Sequence, residues 1–101
     1  MSYQKLKRLI KIFREIPDLP VNYIHCLIEI ENNEGLSLTS LAEKLDLQMP
    51  TVSRIISNLE DRGKAYGLVE SIRDPKSRRS KKVYLTNRGK SFTRKITSAV
   101  E

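Results

Sequence analysis

The sequence predicts a mainly α-helical fold closed by one small β-hairpin, an α+β arrangement in the order α-α-α-α-β-β-α. Three observations predict it. Apolar residues recur at helical spacing through Leu59, the period changes to two only between Leu68 and Leu85, and no repeat or low-complexity tract breaks the order. The 101 residues, 39% of them hydrophobic, can close one modest core, so a single domain spanning residues 1–101 is expected.

The first helix is expected over Tyr3 to Ile16, with Leu6, Leu9, Ile10, Phe13 and Ile16 on one side and Lys5, Lys7, Arg8, Lys11 and Arg14 on the others. Pro17-Asp18-Leu19-Pro20 ends it, because a proline excludes the α region at the residue before it, and Pro20 suits the first turn of the next helix. That second helix runs to about Asn33. Its density of Val21, Ile24, Cys26, Leu27, Ile28 and Ile30 marks it as the core helix, and Gly35 can take the left-handed conformation at its end.

Two shorter amphipathic segments follow, joined by the tight turn Asp46-Leu47. Ser37 caps the first, Leu38 to Leu45; Pro50 opens the second, about Met49 to Arg62, with Val52, Ile55, Ile56 and Leu59 buried. Helices joined so closely cross steeply, the geometry that places the second in a DNA major groove. Thr51, Ser53, Arg54, Ser57 and Asn58 are left facing outward, short hydrogen-bonding side chains with one long cationic donor. Beyond Gly63, Leu68, Val69 and Ile72, then Val83, Tyr84 and Leu85, read as two strands around a turn carrying Lys76, Arg78, Arg79, Lys81 and Lys82. So basic a wing suits a phosphate backbone or a narrow minor groove. Thr86 or Asn87 caps a closing helix whose apolar side holds Phe92, Ile96, Ala99 and Val100.

Charge supports the same partner. Nineteen Lys and Arg against twelve Asp and Glu give a formal net charge of +7, which favours polyanions through counterion release. No apolar run approaches spanning length and the amino terminus lacks signal-peptide features, so a cytoplasmic protein is expected, without membrane contact. Cys26, the sole cysteine, implies no internal disulfide and is expected as a small core residue, and His25 receives the same structural assignment. The four tyrosines are expected to pack with their hydroxyls at the surface. Lys5, Lys7, Arg8 and Lys11 suit either a solvated face or DNA flanking the site. No phosphate loop, nucleophile arrangement, paired carboxylates or metal-ligand spacing is present, so neither an enzyme nor a cofactor is expected.

Taken together, the stretches Leu36-Ser-Leu-Thr-Ser-Leu-Ala-Glu-Lys-Leu, Thr51-Val-Ser-Arg-Ile-Ile-Ser-Asn-Leu-Glu-Asp-Arg-Gly, Asp74-Pro-Lys-Ser-Arg-Arg-Ser and Leu85-Thr-Asn-Arg-Gly resemble, in that order, the MarR family of winged helix-turn-helix regulators. The resemblance covers roughly residues 20 to 90. It implies a sequence-specific double-stranded DNA-binding transcriptional regulator of repressor type, with a DNA-binding core over 20–86 and terminal helices over 3–16 and 87–101. Major-groove readout then falls on Gln48, Pro50, Thr51, Ser53, Arg54 and Ser57. The wing role falls on Arg73, Lys76, Arg78, Arg79 and Lys81, with Arg78 or Arg79 reaching the minor groove.

The family dimerises through its terminal helices, which assigns Leu6, Leu9, Ile10, Phe13, Phe92, Ile96 and Val100 to a homodimer interface. Three departures bear on this. Ser77 stands where the family usually has an acidic residue, which implies a looser, more positive wing. Lys64-Ala65-Tyr66-Gly67 lengthens the passage into the first strand, and the terminal helices are short for the family's dimer. No small-molecule effector is specified. The same elements would also serve a phage or plasmid replication or recombination protein, or a winged helix whose basic face meets an acidic protein.

Overall fold

A computed structural model describes residues 2–16, 18–61, 66–76 and 81–101. Helix α1, Tyr3–Phe13, starts where the Ser2 hydroxyl accepts from the Lys5 amide (3.3 Å). It ends three residues before the expected Ile16. The Glu15 and Ile16 amides bond back to the carbonyls of Ile12 and Phe13 at three-residue spacing, so the chain tightens into a turn ahead of the proline. Ile16 is nonetheless buried. Helix α2, Val21–Asn32, buries Cys26, Leu27 and Ile30 completely, as a core helix should. Pro20 sits at its N-cap, with ψ of 152°, and not in the first turn.

Gly35 follows with φ of +88°, the left-handed conformation expected of it. Its amide donates to the Val83 carbonyl (2.9 Å) and starts a two-residue strand, β1, Leu36–Ser37, that the sequence pattern did not reveal. Ser37 serves twice: it pairs with Lys82 in the sheet, and its hydroxyl accepts from the Ser40 amide (3.1 Å) to cap α3, Leu38–Leu45. Asp46 ends α3 in the left-handed region, at φ 54° and ψ 46°, and forms the expected tight turn with Leu47. Helix α4, Met49–Glu60, enters through Pro50 and buries Val52, Ile55, Ile56 and Leu59. Arg62, its expected end, lies outside the described residues.

Strands β2, Val69–Arg73, and β3, Lys81–Leu85, pair antiparallel from Val69 opposite Leu85 to Arg73 opposite Lys81, and the sheet order is β1-β3-β2. Helix α5, Asn87–Val100, packs against α1, α2 and β3. One joint fixes the hairpin's root to this helix. The Thr86 hydroxyl donates to the Gly67 carbonyl (2.7 Å) while accepting from the Gly89 amide (3.1 Å), and the Thr86 amide donates to the Leu68 carbonyl (3.0 Å). A Cβ on Gly89 would collide with that same Leu68 carbonyl oxygen. The Leu-Thr-x-x-Gly pattern is therefore a packing requirement: threonine caps and cross-links, and glycine admits the backbone.

Candidate nucleic-acid interface

Helix α4 separates its two faces cleanly. At about 100° per residue, Pro50, Ser53, Arg54 and Ser57 fall on one side, diametrically opposite the buried Val52, Ile55, Ile56 and Leu59. All four are exposed, as are Gln48 and Thr51, so the expected recognition residues come together on one accessible surface. Arg54 makes no hydrogen bond or ion pair with any described residue, leaving its guanidinium donors available to a ligand. Gln48 gives the helix no side-chain cap and Pro50 has no N–H, so the Met49 and Thr51 amides are the first-turn donors that remain available to an anion beside this face. Met49, exposed in that first turn, was not among the expected contacts; it offers an apolar atom group where a thymine methyl could be met.

Asn58 does not belong to this surface. It lies on the flank of the helix, where its amide nitrogen donates to the Tyr23 hydroxyl at 2.6 Å. Tyr23 packs edge-on against Tyr66, with ring centroids 6.2 Å apart, and the Tyr66 hydroxyl donates to the Asp18 carbonyl (3.4 Å). This cluster ties α4 to α2 and to the segment preceding it. Two of the tyrosines thus have hydroxyls bonded within the fold, beyond the simple surface packing expected of them, whereas Tyr3 is freely exposed.

The hairpin carries the second set. By the alternation of a pleated strand, Val69, Ser71 and Arg73 share a face with Leu85, Val83 and Lys81. That face is apolar and buried at the root and ends in the exposed Arg73–Lys81 pair. Ile72 and Lys82 project from the other face, both exposed. Beyond Arg73 the Asp74 carboxylate accepts from the Lys76 amide (2.9 Å), turning the chain and leaving Lys76 exposed. Arg78, Arg79 and Ser77 lie outside the described residues, as do Lys64 and Ala65 of the passage into β2.

The sequence profile of the MarR family matches residues 19–81, from the segment before α2 to the start of β3. The chain belongs to the MarR family. Solved structures agree on the fold. MepR of Staphylococcus aureus, solved as a DNA complex, is 27% identical with a TM-score of 0.74, the match covering 96% of this chain and 73% of that one. RV1404 of Mycobacterium tuberculosis is 21% identical with a TM-score of 0.77, over 94% and 63%. The PcaV transcriptional regulator of Streptomyces coelicolor is 19% identical with a TM-score of 0.72, over 95% and 69%. The comparison with curated proteins returns no match.

In this MarR-family chain the residues assigned to a dimer interface divide. Leu9, Phe92 and Ile96 are buried within the chain's own core and Phe13 is half-buried against it, so these four build the packing of α1 on α5 and offer little surface. Leu6, Ile10 and Val100 remain 44%, 41% and 41% exposed. His25 is not a core residue: it stands half-exposed, 3.5 Å from the Glu29 carboxylate one turn along α2. Cys26 is fully buried, and burial, helped by the nearby Glu29 charge, pushes its thiol up to about 12, which keeps it protonated and unreactive. Among the described residues no group of three His, Cys, Asp or Glu could hold a metal ion, and no helix is long and apolar enough to cross a membrane.

Proposed function

We propose that this MarR-family chain is a sequence-specific regulator of transcription that binds double-stranded DNA in the cytoplasm. The observation that carries the proposal is the outer face of α4, where Pro50, Ser53, Arg54 and Ser57 stand together, exposed, on a helix anchored by four buried aliphatic residues. Short hydroxyls let the helix sit deep in a major groove, and Arg54 is long enough to reach a guanine edge or a phosphate. The uncapped start of α4 takes a backbone phosphate. Arg73, Lys76 and Lys81 follow the phosphates of the adjoining minor groove, and Arg78 or Arg79 enters it. The fold shared with MepR, solved on DNA, supports this docking.

Two copies associate through the apolar flank of α1, with Leu6 and Ile10 joined by Val100 of α5. They place their α4 helices roughly 34 Å apart, in successive major grooves of a pseudo-palindromic site. Repression follows by occlusion of polymerase at an overlapping promoter. The test is selection of bound duplexes from random DNA by the full chain. An enriched inverted repeat is expected; recovery of unselected sequence would sink the proposal. Substituting Arg79→Ala is expected to lower the salt slope of binding by about one while preserving the selected sequence.

A further inference from the structure

A groove of about 610 Å³ runs between α1 and α5, and α5 also packs against α2 and β3. Its floor includes Ile12 and Ala99. Arg8 and Lys11 rise on the α1 side, Arg94 and Lys95 on the α5 side. Each of the two helices carries four Lys or Arg, and neither contains an Asp or Glu. Lys95 is met by Glu15 from the turn after α1, at 2.7 Å, but no described carboxylate pairs with Arg8, Lys11 or Arg94.

Three occupants fit unequally. A second copy would bring its own Arg8, Lys11, Arg94 and Lys95 with only Glu15 to offset them, and the apolar flank of α1 lies on the other side of that helix, about 140° round from the groove rim. A duplex backbone satisfies the charges but has nothing to lay on Ile12 and Ala99. A protein helix with apolar residues on one stripe and Asp or Glu along both margins satisfies both. We infer that the α1/α5 groove docks an acidic amphipathic segment of a partner protein. An apolar side chain enters between Ile12 and Ala99, carboxylates reach Arg8, Lys11 and Arg94, and a further carboxylate replaces Glu15 on Lys95.

The test uses the full chain and a fluorescein-labelled helical peptide of about fourteen residues, with Leu at i, i+4 and i+7 and Glu on both margins, read by anisotropy. Two controls replace every Glu by Gln or every Leu by Ser. The acidic, Leu-bearing peptide is expected to bind at least about tenfold more tightly than either control, and Arg8→Gln with Arg94→Gln to lose about tenfold of that affinity. Both positions are exposed, and an unchanged melting curve verifies the fold. Duplex binding by the double variant is expected to stay within about twofold. Equal binding of the Gln control overturns the inference. So does a loss of duplex affinity of about tenfold in the double variant, which would make the groove a second nucleic-acid surface.

Discussion

Helices α4 and α1 are of nearly equal length and both amphipathic, yet the fold completes one and leaves the other unfinished. Helix α4 buries four aliphatic side chains nearly completely and exposes short polar groups with one arginine. Its outer face is polar because its inner face has taken every large apolar residue after the first turn. Helix α1 buries only Leu9, keeps Leu6 and Ile10 open to water, and carries basic residues along its remaining flank. The first arrangement holds a reading surface rigidly, and the second holds apolar area in reserve. A helix whose interior side is satisfied can specialise its exterior for recognition, whereas one with apolar residue left over is completed by association.

Substitutions can break that contrast, beginning with the largest effect. Leu59→Ala, in the fully buried face of α4, is expected to cost about 4 kcal/mol of stability, measured by chemical denaturation. Gly89→Ala drives a methyl into the Leu68 carbonyl and is expected to cost about 3 kcal/mol, seen as a lowered Tm; full retention of Tm would refute the joint between hairpin and α5. Arg54→Ala should leave Tm unchanged and weaken binding to the selected duplex by about 2 kcal/mol. Leu6→Ala with Ile10→Ala is expected to change protomer stability by less than about 1 kcal/mol while shifting sedimentation towards monomer. If these two substitutions destabilise the chain as Leu59→Ala does, the unfinished state of α1 is disproved.

Cys26 gives the most specific effect, confined to alkaline pH. Its thiol is raised from 9.0 to about 12 in the folded chain, so the neutral form is the one the fold retains. That contribution is complete below pH 9.0 and is lost as pH rises from 9.0 towards about 12, as the unfolded chain gives up the proton first. Iodoacetamide is expected to label Cys26 in denaturant and spare it in native buffer at pH 8, as read by mass spectrometry.

The parts of this structure legible in the sequence are those fixed by local chemistry. Ser37 caps α3 at the expected residue, Pro50 opens α4, Gly35 takes a positive φ, and the four aliphatic residues of α4 declare its buried side. The parts not legible depend on partners distant in the chain. Strand β1 is two residues long and exists only because Val83 and Lys82 are brought beside it; no period can be read from so short a segment. Asn58 looks like a recognition residue by type, and only the arrival of Tyr23 from α2 shows that it is a brace. Leu9, Phe92 and Ile96 look like interface residues until α1 and α5 are seen to cover one another. His25 is the chain neighbour of the buried Cys26, and the turn of about 100° between successive helix residues carries it out to the surface.

The joint at Thr86 is one of two attachments that hold the hairpin. Gly67, Leu68, Thr86 and Gly89 are bound by hydrogen bonds and direct backbone approach, so the root of β2 and the start of α5 turn as one body. From that joint to the Arg73–Lys81 rung the paired strands span about 17 Å at roughly 3.4 Å per residue. β1 grips β3 again at Val83 and Lys82, so only the Arg73–Lys81 rung stands beyond both attachments. The cationic end of the wing is therefore carried on a sheet braced at two places, by α5 at its root and by β1 along its middle.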